Sequence, residues 1–320
     1  MTQVSDNMAG VALDYIAAGK AAALATVVST WGSAPRPVGA MLAIADDGAF
    51  QGSVSGGCVE GAVILAAQEA LQDGKCRVLD YGVADTDAFA VGLACGGNIQ
   101  ILVEPIGIGN GPDRVLVEDM AKAAETRTAF ACQVNLETWQ RRQLDAATQA
   151  CGLKDGVYTH VINPGLRMII VGAVHISQNL SPMARMAGYD VIMVDPRDSF
   201  ATRARFPDDT FVDAWPDAAL REIGLDAYTA VITLTHDPKI DTPALAVALR
   251  SKAFYIGALG SRKTHAKRVA ELQGKGFSKA EIAKIHAPVG LNIGAKTPAE
   301  IAVSILAEVT ERWRHPETQR

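Results

Sequence analysis

An alternation in the second half of the chain restricts the fold more than any other feature. Short apolar runs at 168–171, 191–194, 210–212, 230–235 and 254–256 are separated, for the most part, by helical patterns. Runs this apolar suit strands covered on both faces, and strands that alternate with helices predict βαβ units in a parallel sheet with helices on both sides. The last helix is signposted by Thr297-Pro298-Ala299-Glu300, a capping box with proline at the first helical position, followed by Ile301, Ile305 and Val309 at helical spacing. Ser278-Lys279-Ala280-Glu281 is a second capping box.

The first apolar run leads straight into Gly172-Ala173-Val174-His175-Ile176-Ser177. In a dinucleotide-binding turn the first glycine makes the bend, the second admits the pyrophosphate, and the third lets helix and strand pack closely. Gly172 stands at the first position, while Val174 and Ser177 replace the other two. A valine at the point of closest approach hinders a pyrophosphate in its usual pose. The expectation is a Rossmann-type sheet whose crevice is vestigial or altered for another ligand. Asp195 follows the second run, where an acid would meet a ribose hydroxyl. His175 opens the first helix, His236-Asp237 follows the fourth run, and Gly257-Ala258-Leu259-Gly260-Ser261-Arg262 follows the fifth. That last loop supplies free backbone, a hydroxyl and a guanidinium suited to phosphate. In open α/β sheets the carboxyl ends of the strands share one edge. Gly172, His175, Asp195, His236, Gly257, Gly260, Ser261 and Arg262 therefore converge as candidate ligand residues for an anionic, nucleotide-like molecule.

The first half reads differently. Ser5 is a plausible cap for a helix with Met8, Val11, Ala12 and Tyr15 on one face and Gly19 as its stop. Strand-like runs follow at 23–29, 41–45, 76–81 and 99–103, with a helix over about 59–71. From Pro105 to Pro164 the pattern weakens, and Asn163-Pro164-Gly165 reads as a linker. The fold class is α/β: an N-terminal mixed α/β domain (1–163) and a C-terminal doubly wound parallel sheet (164–320).

Five scattered cysteines, without a Cys-x-x-Cys pair, fit reduced thiols in the cytoplasm better than a disulfide framework. Cys58 in Ser55-Gly56-Gly57-Cys58 stands at a helix start, where free amides and the helix dipole favour a thiolate. Cys95 in Ala94-Cys95-Gly96-Gly97 lies among equally small residues. Each is either a packed small hydrophobe or an uncovered thiol able to hold a metal or carry sulfur. Cys76, Cys132 and Cys151 read as core. A net charge of −5, with no basic cluster interleaved with aromatics, argues against nucleic-acid binding. No apolar run reaches membrane length, and Met1 to Gly10, with neither a basic nor an apolar stretch, reads as no signal peptide.

These loops carry a resemblance. Residues 32–36 (Gly-Ser-Ala-Pro-Arg), Gly52-Ser53-Val54-Ser55-Gly56-Gly57-Cys58-Val59-Glu60 and Leu93-Ala94-Cys95-Gly96-Gly97 resemble the N-terminal domain of the xanthine dehydrogenase accessory (XdhC/CoxI) family. Asp195-Pro196-Arg197 with Phe200-Ala201-Thr202-Arg203, Thr235-His236-Asp237, the 257–262 loop and the long run from Pro288 to Glu300 resemble its Rossmann domain. The resemblance implies a cytoplasmic chaperone, rather than a catalyst, that binds molybdenum cofactor in its molybdopterin mononucleotide or dinucleotide form. It further implies that the cofactor is sulfurated with a cysteine desulfurase and handed to an apo molybdenum hydroxylase, and that the chaperone is a homodimer. The residues put forward for the cofactor are Gly56, Gly57, Cys58, Cys95 and the crevice set above, with Cys58 and Cys95 as molybdenum ligand or persulfide carrier. Val174 departs from the family's usual Gly-Ala-Gly-His loop. Two other readings stand beside this one: an NAD(P)-dependent oxidoreductase, on the fold alone, and a cysteine-based sulfurtransferase.

Overall fold

A computed structural model describes residues 7–32, 36–82, 97–146, 149–197, 199–200 and 202–315. Chain contacts divide it into two compact units, Thr2–Pro164 and Gly165–Arg320. Ser5 lies outside the described residues. The observed cap of the first helix, α1 (Met8–Ala17), is Asn7, whose side chain accepts the Gly10 N–H at 3.0 Å.

The first unit is built on an antiparallel sheet in the order β3-β2-β1-β5-β4, from β1 (Ala22–Trp31), β2 (Met41–Ala45), β3 (Phe50–Gly52), β4 (Arg77–Tyr81) and β5 (Asn98–Pro105). Alternation along β1 and β5 sends Ala23, Ala25, Val27, Ile99, Ile101 and Val103 against helix α2 (Glu60–Asp73). The opposite face packs near one edge on α1 and α3 (Arg114–Glu125). Further along, Val28 and Leu102 meet Val134 and Tyr158. Those two belong to a second antiparallel sheet in the order β7-β6-β9-β8, from β6 (Phe130–Asn135), β7 (Arg141–Leu144), β8 (Gly152–Lys154) and β9 (Val157–Ile162). This sheet fills the stretch where the sequence pattern was weak. Its strands are short, and β7 reads Arg-Arg-Gln-Leu. Arg141 is nonetheless inside, bonded to Glu104 Oε1 at 2.6 Å and to the carbonyls of Asn110 and Trp139.

The second unit is a parallel six-stranded sheet in the order β12-β11-β10-β13-β14-β15. Its strands are β10 (Arg167–Val171), β11 (Asp190–Val194), β12 (Thr210–Val212), β13 (Thr229–Thr233), β14 (Tyr255–Ala258) and β15 (Ile285–His286). Helices α4 (His175–Met186) and α9 (Pro298–Arg314) cover one face through Leu180, Ala184, Ile305 and Val309. The other face is covered by α5 (Pro216–Ile223), α6 (Pro238–Leu249) and α7 (Arg262–Gly274), through Leu220, Ile240, Leu245 and Leu272. A short helix, α8 (Lys279–Ile282), precedes β15. β10 is buried on both sides, with Met168 and Ile170 facing one layer and Ile169 and Val171 the other. That is why it reads as an unbroken apolar run. Two strand ends move from their expected places: β13 stops at Thr233, and β14 continues to Ala258. β15 was not anticipated, because a two-residue strand has no period.

Candidate functional site

Because every strand of the second sheet is parallel, the segments after β10, β11, β13 and β14 emerge at one edge. The strand order reverses direction between β10 and β13, and ligands bind in such sheets at that switch point. Gly172 makes the first turn with φ 113°, and a Cβ there would come within 2.6 Å of Thr235 Cγ2. Nothing but glycine fits. Val174 sits in extended backbone, φ −103°, as the cap residue of α4, a conformation any residue adopts. Ser177 is fully buried; its hydroxyl donates to the Gly172 carbonyl and accepts the Val174 N–H at 3.4 Å. The serine thus closes the turn by hydrogen bonding, where a glycine would close it by proximity.

Asp195 does not stand free at the expected ribose position. Its Oδ2 accepts the Ala173 N–H at 2.7 Å and Arg197 Nη2 at 2.7 Å, and its Oδ1 accepts Arg197 Nε at 2.8 Å. Burial opposes its charge, but these donors outweigh burial and hold the carboxyl below its ordinary range. Arg205 grips the same turn from another side, donating to the carbonyls of Ala173 at 2.9 Å and Phe200 at 2.7 Å. The Arg197 guanidinium lies 4.0 Å above the Phe200 ring. Two arginines therefore flank the glycine turn, and sequence reasoning put forward neither; the run Asp195-Pro196-Arg197 was the available signal.

His175 is exposed at the first position of α4. His236 is also exposed and takes φ 64°, a conformation that favours glycine and costs a histidine energy. Asp237 caps α6, accepting the Lys239 N–H at 2.9 Å. Ser261 caps α7, its hydroxyl accepting the Thr264 N–H at 3.2 Å, and Arg262 stands exposed beside it. Gly260, φ 137°, makes the turn before them. Gly257 belongs elsewhere. It lies within β14, where a Cβ would meet Val289 Cγ2 at 2.6 Å, so its need is close packing. Below this edge Asp241 and Arg268 form a buried pair, Oδ2 to Nη2 at 3.6 Å. Burial raises the Asp241 pKa and lowers that of Arg268.

In the first unit the Ser53–Cys58 segment is organised by one carboxylate that sequence reasoning quoted but gave no role, Glu60. Its Oε1 accepts Ser53 Oγ at 2.8 Å, the Val54 N–H at 3.2 Å and the Ser55 N–H at 2.9 Å. Its Oε2 accepts Ser55 Oγ and, at 2.9 Å, the Gly57 N–H. Burial opposes the charge, yet the serine and amide donors prevail and hold the carboxyl at about 2. Gly56 and Gly57 have φ 75° and 111°, so both positions need glycine. The loop delivers Cys58 to solvent one residue before Val59, the cap residue of α2. Cys95 lies outside the described residues. Burial first, and the Glu104 carboxylate second, push Cys76 up to about 11 and Cys132 up to about 12, so both stay inert thiols. Among the described residues no cluster of three or more His, Cys, Asp or Glu side chains is arranged around a metal position, and no helix is long and apolar enough to cross a membrane.

Both units are similar to known proteins. Residues 15–82 match the model of the XdhC and CoxI family, and residues 168–309 match that of the XdhC Rossmann domain. The chain is 31% identical over 306 residues to the molybdenum cofactor insertion chaperone PaoD of Escherichia coli, covering 96% of this chain and 88% of that protein. It is 27% identical over 315 residues to a Bacillus subtilis protein named as a probable component of xanthine dehydrogenase, covering 91% and 92% respectively. The fold matches the crystal structure of a Bacillus halodurans protein described as a xanthine dehydrogenase, with TM-score 0.74 and 24% identity over 98% of this chain and 97% of that one. With matched segments in both units and PaoD aligned along almost its whole length, this chain is a member of the XdhC and CoxI family.

Proposed function

We infer that the protein binds the molybdenum cofactor as cargo and assists its insertion into an apo molybdenum hydroxylase of the xanthine dehydrogenase type. The observation that carries this reading is the exposed Cys58 thiol, presented on a backbone fixed by the buried Glu60 carboxylate. Molybdenum is thiophilic and a thiolate is a soft ligand, so an uncovered, positioned cysteine suits a metal-dithiolene cargo or its terminal sulfur. Similarity to PaoD supports the same reading. In the second unit Arg197 and Arg205 are held at the glycine turn by Asp195 and the Ala173 carbonyl. Together with Ser261 and the exposed Arg262 they set guanidinium charge and a hydroxyl at the edge, suited to the phosphate or dinucleotide end of the cofactor. Sulfuration with a cysteine desulfurase at Cys58 or Cys95, a homodimeric state and a cytoplasmic location belong to this proposal.

Purified protein mixed with molybdenum cofactor should carry both molybdenum and pterin fluorescence through gel filtration. Cys58→Ser should lower retention by about tenfold, about 1.4 kcal/mol of binding, with an unchanged melting temperature because Cys58 is exposed. Passage of the wild type without either signal, together with micromolar NADH binding, would instead favour an oxidoreductase.

A further inference from the structure

A second polar surface in the first unit has no part in the loops described so far. In the antiparallel register, Ser29 of β1 faces Gln100 of β5, and Trp31 faces Asn98. On the other side of β5, Asp80 of β4 faces Gln100. Opposed residues, and residues two apart, share a face of a sheet, so Ser29, Trp31, Asn98, Gln100 and Asp80 project together. Gly82 continues that row, since a Cβ there would come within 2.5 Å of Asn98 Oδ1. Nearer the middle of β5 the same face is apolar, and Leu102 is buried with Val134 and Tyr158. Beyond that cover the strands run on, and among the described residues the face turns polar. The result is a hollow of about 380 Å³, within the range of small-molecule sites, roughly 300–1,000 Å³.

Its chemistry is selective. Trp31 is 74% exposed at the rim, which leaves its ring accessible for stacking. Gln100 Nε2 donates to Asp80 Oδ1 at 2.6 Å, which orients the exposed carboxylate among the residues that line the hollow. Asn98 and Ser29 add groups that both donate and accept. A simple cation would need only the ring and the carboxylate, whereas the flat row of amides adds acceptors and donors for a ring edge. We propose that this hollow binds a planar heterocycle bearing a 2-amino-4-oxopyrimidine edge, stacked on Trp31, with its adjacent ring N–H and amino group donating to Asp80. Pterins and guanine share that edge. The inference rests on the cofactor reading above, which supplies a pterin as the source. It gives the pterin a place in the first unit, apart from the second unit's arginines.

Calorimetric titration of the full chain with pterin, lumazine, guanosine and arginine amide tests it. Lumazine carries an oxo group in place of the 2-amino group and cannot make the paired donation to a carboxylate. Pterin should bind at least about tenfold more tightly than lumazine, and Asp80→Asn should abolish that difference. Trp31→Ala should weaken both about equally. Both side chains are exposed, so circular dichroism should stay unchanged. Guanosine binding as tightly as pterin would make the nucleotide base the source and remove the link to the cofactor. Equal binding of pterin and lumazine, pterin binding indifferent to Asp80→Asn, or arginine amide binding as tightly as pterin would overturn the proposal. If the wild type retains molybdenum cofactor while Asp80→Asn and Trp31→Ala retain it equally, the hollow fails and the chaperone reading stands. If the wild type retains none, the chaperone reading itself fails.

Discussion

Glu308→Ala is expected to destabilise the second unit by about 3–4 kcal/mol, a loss in the upper tail for single substitutions. Glu308 is fully buried on α9, yet its carboxylate holds Tyr255, Gly290 and His286. Oε2 accepts Tyr255 Oη at 2.7 Å and the Gly290 N–H at 2.6 Å, and Oε1 meets His286 Nδ1 at 3.1 Å. Alanine would remove a charged acceptor from the tyrosine hydroxyl and the glycine amide, and a hydrogen bond to a charged group contributes about 1.5–3 kcal/mol. It would also loosen the stack of Tyr255 on His286, whose centroids are 4.6 Å apart. Burial alone would raise the carboxyl, but the bonds from His286, Tyr255 and Gly290 outweigh it and hold the group at about 2.

The sign of the pH effect follows. The folded carboxyl, at about 2, lies below its ordinary value of 4.5. Its contribution is therefore complete above pH 4.5 and fades as pH falls from there through 2. Urea unfolding followed by circular dichroism should show a wild-type midpoint that is steady from pH 7 to 5 and then declines. Glu308→Gln should start lower and decline less. A loss under 1 kcal/mol for the alanine variant, or parallel pH profiles for wild type and Glu308→Gln, would refute the assignment.

Glu60→Gln should unlock the Cys58 loop with a smaller effect on the whole unit. The carboxylate accepts from Ser53, Val54, Ser55 and Gly57 and is required to donate nothing. A glutamine amide placed at Oε2 would turn its N–H groups toward the Gly57 N–H, a donor facing a donor. The expected cost is about 2–3 kcal/mol, in line with hydrogen bonds to a charged group. Hydrogen exchange at Val54, Ser55 and Gly57 should accelerate at least tenfold, about 1.4 kcal/mol of local protection, and cofactor retention should fall with it. Glu60 is likewise held at about 2, so loop protection in the wild type should persist above pH 4.5 and decay toward pH 2. Unchanged exchange in Glu60→Gln would show that the glycines and serines fix the loop without the carboxylate.

The parts of this fold that the chain states locally are those whose physics is local. β10 needs only a run of residues apolar on both faces, and α9 needs only Thr297, Pro298 and Glu300 at their spacing. Gly172 is marked by its place after a strand, and the Cys58 loop by two adjacent glycines. The second sheet of the first unit left a weak pattern because its strands are short and an inward arginine, Arg141, satisfies its charge on a distant glutamate. Gly257 looked like a loop glycine, since nothing in the sequence announces Val289, 32 positions on, as the side chain it must admit.

By itself, then, the sequence determined the parallel sheet, the two-part organisation of motifs and the family, because strand periodicity, turn glycines and helix caps act over a few residues. Tertiary structure alone decided what each polar group does. Asp195 is spent on Ala173 and Arg197, Glu60 on its own loop, and Glu308 on Tyr255, His286 and Gly290. Asp80 and Trp31 are brought to one face of the sheet, on either side of β5, by the pairing of three strands. A carboxylate's role depends on which donors reach it through space, and sequence distance does not encode that.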